Sequence, residues 1–497
     1  MSLSVTNTLT GEREPFTTDD DEVLLYVCGL TVSDDAHLGH ARAWVHADVF
    51  HRWLDHLGYD VRHVENVTDV NEKIVARVGE DDLGEDELAV AERFTASVLE
   101  DMRGLNLLRA EVYPRVSEHV PEIIDLVATL IERGYAYEAN GSVYFDVTTF
   151  EEYGKLSNQS VDDLEAQGSP SERSEKRHPA DFALWKADGV APAELEEHQA
   201  SHEGSAPPET AAAGAATWDS PWGEGRPGWH VECSAMATTH LGDTIDVHMG
   251  GQDLVFPHHE NEIAQSEAAT GQQFARYWMH VGLLETGGEK MSSSLGNFMT
   301  VSEALAEYGP NVLRTFYLGA SYATKQTFSP DAMEEAAERW ERLSRAYDAA
   351  VDACDSVDAR TRVVDEDLRD AVDDARESFR TAMNDDLNVR EATAALLGLA
   401  TAVNRHVDGR EAYDYRGLHR AITAFEELGG DVFGLTFGTA GSGEARLADE
   451  LVELVLDVRE REREAGNYER ADELRSALAD LGVEVEDGDG GPTYRFT

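Results

Sequence analysis

A strand–helix–strand pattern near the beginning of this chain limits the folds that it can adopt. Residues 23–27 are a short apolar run that ends at Cys28, which predicts a buried strand. Apolar residues recur at helical spacing from 38 to 57, and Gly58 stands where a C-cap glycine is expected. Residues 60–65 predict a second strand. Such an opening favours a parallel α/β sheet, in which ligands bind beyond the carboxyl ends of the strands.

The first candidate site follows the first predicted strand and opens the helix. It reads His37-Leu38-Gly39-His40. A helix start favours phosphate, and Gly39 has no Cβ to keep a phosphate or a planar ring away. Histidines in this position can donate hydrogen bonds to charge that develops on a triphosphate. The alternative is a solvated helical turn, because two histidines three residues apart also occur by chance.

The second candidate site is the loop Lys290-Met291-Ser292-Ser293-Ser294, which follows Gly287 and Gly288. A lysine and three hydroxyls on a glycine-flanked loop are suited to hold a triphosphate while its α-phosphorus is attacked. The alternative is an ordinary polar loop. The chain has only six lysines, which makes a lysine at this point more suggestive.

A third set of residues offers metal ligands: Cys28, Cys233, His258, His259 and Glu262. Either histidine lies on the same helical face as Glu262, so spacing does not choose between them. Two thiolates, an imidazole and a carboxylate suit tetrahedral Zn²⁺. The alternative is two buried free cysteines beside a polar helix start, because Cys28 and Cys233 are too distant in sequence for a zinc finger.

The charge of the chain bears on its partners. Lys and Arg number 41 against 98 Asp and Glu, so the formal net charge is −57. Such a surface repels nucleic acid in dilute buffer, but at about 1 M salt the Debye length is only ~3 Å. Acid excess together with few lysines therefore indicates a halophilic protein rather than an ordinary acidic one. The charge does not exclude a nucleic-acid partner under those conditions.

The cysteine count and the apolar pattern indicate a compartment. Three cysteines in 497 residues argue against a disulfide scaffold and for reducing surroundings. No stretch approaches 18 consecutive apolar residues, and the first residues lack the pattern of a signal peptide. We therefore expect a cytoplasmic protein with no membrane partner.

The second half of the chain has a different periodicity. Amphipathic helices are predicted over residues 331–355, 365–385, 390–407 and 415–428. A Gly-rich linker at 438–443 precedes a tail, 445–497, in which helical stretches are followed by a predicted hairpin.

Taken together, the order of these motifs resembles the cysteinyl-tRNA synthetase family of class I aminoacyl-tRNA synthetases. Other stretches carry the same resemblance: Asn7-Thr8-Leu9-Thr10, Asn66-Val67-Thr68-Asp69, Gly225-Arg226-Pro227-Gly228-Trp229-His230 and Met383-Asn384-Asp385-Asp386-Leu387-Asn388. The resemblance covers nearly the whole chain.

The resemblance implies three domains. They are an α/β Rossmann-like catalytic domain over 1–305 with an inserted segment at about 115–220, an α-helical bundle that binds the anticodon over 306–437, and a small α+β domain over 445–497. It also implies an enzyme, a cysteine–tRNA ligase. With ATP and Mg²⁺ this enzyme forms cysteinyl-adenylate and pyrophosphate, then transfers cysteine to the 3′ terminal adenosine of tRNA-Cys with release of AMP.

Site residues are carried over from the family in the same way. One Zn²⁺ per chain, which binds the substrate thiol, is expected on Cys28, Cys233, His258 and Glu262. The residues expected to line the cysteine pocket are Gly29, Thr31, Thr68, Trp229 and His248. Those expected to bind ATP are Gly39, Asp253, Lys290 and Ser293, and those expected to act in catalysis are His37, His40, Lys290 and Ser293.

The chain also departs from the family pattern. Ser293 stands where Lys-Met-Ser-Lys-Ser has its second lysine, Leu38 replaces the usual isoleucine, and Ser33 stands where tyrosine is common. Because of the first departure, Lys290 is the candidate for the cation that stabilises the negative charge developing in the transition state. Two other functions remain alternatives. A ligase that joins cysteine to an amino sugar would lack the helical domain and tail, and a non-catalytic zinc- or RNA-binding relic is disfavoured by the intact signatures.

Overall fold

The computed structural model describes most of the chain. The described residues are 2–19, 21–80, 83–161, 170–187, 189–199, 204–287, 289–290, 298–438, 452, 455–456, 458–459, 461, 463, 467–480, 483–488 and 491–496. The chain divides into two compact units, Met1–Leu435 and Thr436–Thr497. Within the described ranges, no helix combines the length and apolar character that crossing a membrane requires.

The regular elements alternate along the first unit and become helical toward its end. The described strands are β1 (Ser4–Asn7), β2 (Glu12–Pro15), β3 (Glu22–Val27), β4 (Asp60–Glu65), β5 (Ala136–Ala139), β6 (Ser142–Phe145), β7 (Phe182–Ala187), β8 (Trp218–Ser220), β9 (Gly223–Pro227), β10 (Ile245–Gly251), β11 (Ala275–Val281), β12 (Leu284–Thr286), β13 (Glu289–Lys290), β14 (Gln326–Phe328), β15 (Ala359–Arg360), β16 (Tyr413–Asp414), β17 (Val483–Gly488) and β18 (Gly491–Phe496). The described α-helices are α1 (Leu38–Leu57), α2 (Glu72–Val75), α3 (Glu87–Gly104), α4 (Val120–Glu132), α5 (Pro170–Glu175), α6 (Pro192–Gln199), α7 (Pro208–Ala213), α8 (Trp229–Leu241), α9 (Glu260–Thr270), α10 (Val301–Tyr308), α11 (Pro310–Tyr317), α12 (Pro330–Cys354), α13 (Glu366–Asn384), α14 (Val389–Gly409), α15 (Tyr415–Ala424) and α16 (Tyr468–Asp480).

A parallel sheet of four strands lies at the centre of the first unit, in the order β11–β10–β3–β4. Its inner strands are buried almost throughout, as in sheets that helices cover. Helices α1 and α8 pack against it. Helix α1 begins after its N-cap His37 and ends at Gly58, whose φ of 94° is left-handed. The predicted strand–helix–strand opening and the α/β fold class are confirmed.

A second, antiparallel sheet is inserted between β4 and β10. Its strand order is β5–β6–β7–β9–β8, and helix α4 packs against it through a shared core that includes Ile123, Val127 and Trp185. A buried ion pair holds its last strands to α3: Arg226 donates to both carboxylate oxygens of Glu87, at 2.7 and 3.0 Å. Strand β9 ends immediately before α8, so this sheet fixes where α8 begins.

The long helices α12 to α15 form the helical part that the sequence predicts, and their ends lie within a few residues of the predicted ones. Apolar side chains on their facing stripes are buried, among them Leu343, Phe379, Leu396 and Leu418. The helical bundle is confirmed.

The second unit contains α16 followed by the antiparallel hairpin β17–β18. Leu478, Val483 and Val485 are buried in a small apolar cluster of this unit. The predicted α+β tail is confirmed for the part of it that the structure describes.

Candidate active site

The candidate metal ligands meet at the carboxyl edge of the parallel sheet. Cys28 directly follows β3, and Cys233 lies in the first turns of α8. His258 lies on a π-helical segment, Val255–His259, and Glu262 lies in the first turn of α9. The four side chains therefore reach one point from four separate elements. This edge is where α/β sheets bind their ligands.

The distances between the ligand atoms are short. Cys28 Sγ lies 3.9 Å from Cys233 Sγ and 3.5 Å from His258 Nε2. His258 Nε2 lies 3.1 Å from Glu262 Oε1. The edges of a tetrahedron with zinc–ligand bonds of about 2.0–2.3 Å measure about 3.3–3.8 Å. These three distances are close to the edge lengths of a tetrahedral zinc site.

His259, the histidine that sequence spacing left open, is also close. Ligand atoms of Cys28, His258, His259 and Glu262 all lie within 4.8 Å of one another. However, His259 Nε2 is 3.9 Å from Glu262 Oε1, and its other nitrogen lies 2.8 Å from His280 Nε2. The shorter contacts of His258 with the carboxylate and with Cys28 favour His258 as the ligand.

Burial makes this cluster unfavourable for thiolates unless a cation is present. Contact with Cys28 and burial raise the pKa of Cys233 well above its usual range. Contact with Cys233 lowers the pKa of Cys28, but burial and the charge of Glu262 give a net rise. Glu262 Oε1 is buried and accepts no hydrogen bond from any described residue. A divalent cation reverses such effects because it stabilises thiolate and carboxylate together. The donor set fits Zn²⁺.

Further side chains orient these ligands. His230 Nδ1 lies 2.9 Å from His258 Nδ1, which turns the other nitrogen of His258 toward the cluster. His248 Nε2 lies 3.0 Å from Glu262 Oε2, and both side chains are fully buried. Partners of this kind fix the ring orientation of metal-binding histidines and the direction of ligating carboxylates.

The residues expected to line a cysteine pocket surround the same edge. The backbone N–H of Gly29 donates to Asn66 Oδ1 at 2.8 Å. A Cβ at Gly29 would lie 1.6 Å from the Asn66 carbonyl oxygen, so only glycine fits here. Thr31 and Thr68 form a parallel bridge. Trp229 stacks on His258 with ring centroids 4.3 Å apart and stays 37% exposed, so it borders solvent.

Asn66 is a residue to which the sequence analysis gave no role. Besides binding Gly29, its Oδ1 accepts a hydrogen bond from the Tyr26 hydroxyl at 3.0 Å, and its Nδ2 donates to Thr68 Oγ1 at 3.2 Å. It thereby joins the ends of β3 and β4. Its position directly after a predicted strand, at the same edge as Cys28, was the signal available in the sequence.

The candidate phosphate site is at the start of α1. His37 Nδ1 accepts the Gly39 N–H at 3.0 Å, His40 Nδ1 accepts the His37 N–H at 3.2 Å, and the two rings stack 3.8 Å apart. The histidines therefore cap the helix. A Cβ at Gly39 would meet the His37 ring at 2.8 Å. Asp253 lies on a short turn, Gln252–Leu254, directly after β10.

The described residues next to the signature loop are Lys290 on one side and residues 298–300 on the other. Lys290 ends β13, where its backbone pairs with Glu285 of β12. Residues 291–297, and with them Ser293, lie outside the described residues. Where the chain is described again, the Leu38 N–H donates to the Met299 carbonyl at 3.2 Å, and His37 and Thr300 form an antiparallel bridge. The segment that follows the loop is thus held against the His37-Leu38-Gly39-His40 turn.

Comparison with known families gives three matches. The profile described as "tRNA synthetases class I (C) catalytic domain" matches residues 16–204 and 206–338. The "DALR domain" matches 378–438, and the "Cysteinyl-tRNA ligase anticodon binding domain" matches 445–495. The last description associates anticodon binding with the tail. The resemblance in sequence implied this function for the helical region 306–437.

Full-length relatives are similar throughout. The chain is 67% identical over 497 residues to a protein of Haloarcula marismortui named cysteine–tRNA ligase, and 64% identical over 497 residues to one of Halobacterium salinarum with the same name. Both alignments cover 100% of each chain. A Thermococcus onnurineus protein of that name is 42% identical over 499 residues, covering 100% of this chain and 99% of the relative.

The fold is similar to that of solved synthetases. Mycobacterium tuberculosis methionyl-tRNA synthetase in complex with methionyl-adenylate superposes with a TM-score of 0.58 at 16% identity, covering 83% of this chain and 89% of that one. A putative arginyl-tRNA synthetase of Campylobacter jejuni gives a TM-score of 0.54 at 12% identity, covering 83% and 92%. At these identities the likeness concerns the fold alone.

Proposed function

Because the chain belongs to the cysteinyl-tRNA synthetases, the class I ligases that attach cysteine to tRNA, we propose how its own residues carry out that reaction. The substrates are L-cysteine, ATP with Mg²⁺ and tRNA-Cys. Cysteine is first activated to cysteinyl-adenylate with release of pyrophosphate. It is then transferred to the 3′ terminal adenosine of the tRNA with release of AMP.

The main observation in support of this function is that Cys28, Cys233, His258 and Glu262 converge. We assign to them one zinc ion per chain. When bound, zinc supplies a soft Lewis acid that prefers the thiol of cysteine to the hydroxyl of serine, so discrimination needs no editing site. Neighbouring side chains orient these ligands: His230 contacts the ring of His258, and His248 contacts the carboxylate of Glu262.

The proposed cysteine pocket is bounded by Gly29, Thr31, Thr68, Trp229 and His248. The backbone of Gly29 lies close to Asn66 and forms one side of the pocket. The Thr31–Thr68 bridge connects this side to the end of β4. Trp229 borders solvent and shields the cluster from it. Excluding water in this way strengthens every electrostatic contact within the pocket.

Phosphate chemistry is assigned to the start of α1 and the signature loop. His37 and His40 offer ring nitrogens, and Gly39 lets a phosphate approach the backbone. Lys290 supplies the cation, and the hydroxyl of Ser293 stands where most relatives have a second lysine. Asp253, after β10, is assigned to ATP. These groups would stabilise the negative charge that develops at the α-phosphorus and on the departing pyrophosphate.

The remaining regions are assigned to tRNA. Catalysis is placed in residues 1–305, with an insertion at about 115–220. Anticodon binding is placed in the helical region 306–437 together with the tail 445–497, to which the family description gives that name. We place the enzyme in the cytoplasm, because all three cysteines are free, as expected in a reducing compartment.

One assay series separates this function from its alternatives. In molar KCl, the purified chain should exchange pyrophosphate into ATP with cysteine and far less with serine, contain one zinc per chain, and charge tRNA-Cys. Exchange without charging, but with transfer to an amino sugar, would indicate the amino-sugar ligase. Zinc without any exchange would indicate the non-catalytic relic. Exchange without zinc would remove the metal assignment.

A further inference from the structure

Two stretches that resemble the family, but contain none of the proposed site residues, lie in contact. The first, Asn7-Thr8-Leu9-Thr10, ends strand β1 and forms most of the turn that connects it to β2. The second, residues 383–388, holds the turn between α13 and α14. The Asp386 N–H donates to the Ser4 carbonyl at 3.0 Å, and Ser4 and Asp385 form a parallel bridge. The helical part of the chain thus binds the N-terminal hairpin directly.

The carboxylate of Asp386 is where these segments meet. Its Oδ1 accepts the Thr6 N–H at 2.7 Å and the Tyr322 hydroxyl at 2.8 Å, and its Oδ2 accepts the Thr6 hydroxyl at 2.7 Å. An ionised carboxylate is the acceptor suited to several donors at once, and such bonds are stronger than neutral ones. One side chain therefore joins three stretches that are distant in sequence.

The backbone of this turn is held in an uncommon conformation. Asp386 has a φ of 60° and Leu387 a φ of 51°, although neither is glycine. Leucine seldom adopts left-handed angles, and strained residues of this kind persist where the surroundings fix them. The bonds to Asp386 and the burial of Leu387 supply that fixation.

From Thr6 the contacts lead to the cysteine side of the site. Asn7 Oδ1 accepts the Trp278 N–H at 3.1 Å, and the Thr8 N–H donates to the Trp278 carbonyl at 2.8 Å, so the hairpin is held to β11, the edge of the parallel sheet. Thr8 Oγ1 lies 2.8 Å from His280 Nδ1, and His280 Nε2 lies 2.8 Å from His259 Nδ1. His259 is the neighbour of the proposed histidine ligand.

From Tyr322 the contacts lead to the ATP side. The Gly282 N–H donates to the Tyr322 carbonyl at 2.7 Å. Arg42, fully buried on α1 just after the phosphate signature, donates to the carbonyls of Gly282 at 2.9 Å and Thr324 at 2.6 Å. Gly282 precedes β12, whose partner strand β13 ends at Lys290.

We propose that Asp386 is a positioning residue that couples the helical part of the chain to both halves of the active site. Through Thr6 it fixes the hairpin and the histidines behind the cysteine pocket. Through Tyr322 it fixes the chain around the start of α1 and before β12. The identity of the two substrates rests on the proposed function; the coupling itself rests on these contacts.

Kinetic measurements separate the contacts that run through Thr6 from those that run through Tyr322. Asp386→Asn keeps the size of the side chain but loses its charge and one acceptor, and should raise the KM for cysteine and the KM for ATP by ~10-fold each in pyrophosphate exchange. Thr6→Val should raise mainly the KM for cysteine, and Tyr322→Phe mainly the KM for ATP. In the double variants Asp386→Asn with Thr6→Val, and Asp386→Asn with Tyr322→Phe, the effects should be less than additive.

The matched control is Asp385→Asn in the same turn. Asp385 pairs with Arg13, and these side chains are 54% and 39% exposed, so the pair contributes little. Its KM values should match those of the parent. Rates are normalised to active sites counted from an adenylate burst in molar KCl, so that a folding defect lowers the count rather than changing a KM.

Two results would overturn the coupling. One is Asp386→Asn behaving as Asp385→Asn does; the other is Thr6→Val and Tyr322→Phe changing the same KM by the same factor. If Asp386→Asn does not fold, the Thr6 and Tyr322 variants decide alone. A parent enzyme without cysteine-dependent exchange would instead overturn the proposed function.

Discussion

The cysteine side and the ATP side of the site are built in different ways. The proposed zinc ligands lie directly after β3, on α8, on the π-helical segment and on α9, and the side chains of His258 and Glu262 are almost fully buried. The two histidines of the ATP side lie within four residues of each other and hold one another at a helix start. The first half depends on tertiary packing, the second on a local motif.

This difference has consequences for how each half fails. A ligand lost from the cysteine side leaves the other buried polar groups without compensation, which is costly. A histidine lost from the ATP side removes an imidazole from the start of a helix that can still form. Substitutions on the cysteine side should therefore lower activity more than substitutions on the ATP side. They should do so by disturbing a buried cluster, rather than by removing a single group.

The largest effect is expected for Cys233→Ser. A hydroxyl is a poor zinc ligand, so zinc content should fall and kcat/KM for cysteine should drop by about 10³-fold, more than the ~10–100-fold that outer partners cost. Metal analysis and pyrophosphate exchange measure both. Cys354→Ser is the control, because Cys354 is another buried free thiol but lies at the end of α12. Equal zinc in both variants would contradict the ligand assignment.

A smaller loss is expected for Lys290→Ala on the ATP side. Losing one donor to developing charge should lower the rate of cysteine activation by ~10²-fold, with cysteine affinity nearly unchanged because the metal cluster is separate. Lys325→Ala is the matched control: Lys325 precedes β14 in the same small sheet and pairs with Glu285 at 2.7 Å. Near-normal exchange by Lys290→Ala would assign the charge stabilisation to the histidines or Mg²⁺.

His37 allows the local motif to be divided into its two roles. His37→Asn keeps a good N-cap residue but removes the imidazole, so activation should fall by about 10-fold with unchanged thermal stability. His37→Ala removes the cap as well and should also lose about 1 kcal/mol of stability. The comparison needs exchange rates and thermal unfolding in the same buffer. Equal stability of the two variants would show that the His37–Gly39 bond contributes nothing.

The smallest effect on the site is expected from salt. Between about 0.1 M and molar KCl, the Tm should rise by roughly 5–10 °C as repulsion among surface carboxylates is screened. Over the same range, the KM for cysteine should change less than about 2-fold, because buried contacts are screened much less. Calorimetry and exchange kinetics test the pair. An unchanged Tm would remove the halophilic interpretation and leave the enzyme assignment intact.

Local signals predicted much of this molecule. The apolar run before Cys28, the helix ending at Gly58 and the four long helices of the bundle follow from periodicity and capping, which act over a few residues. The resemblance predicted the metal ligands, and the structure brings the four candidate residues together. Spacing could not choose between His258 and His259, because their distances from Cys28 and Glu262 depend on how the kinked segment Val255–His259 folds before α9.

What the sequence could not predict involves contacts between distant segments. Asn66 and Asp386 stand in motifs that were recognised, but Gly29, which donates to Asn66, and Thr6, which donates to Asp386, are more than 35 residues away in the sequence. The buried pair of Glu87 and Arg226 is of the same kind. No local pattern encodes which donor a carboxylate will meet once the chain has folded.

Gly29 limits how the proposed cysteine pocket could be re-engineered. Because a Cβ there would overlap the backbone of Asn66, even alanine would force the ends of the neighbouring strands β3 and β4 apart, and libraries randomised at this position should return glycine. Variation is more readily accepted at Trp229, whose ring lies over the cluster and partly in solvent. A variant enzyme for a bulkier thiol analogue would be sought by trimming that ring, with the strand ends left as they are.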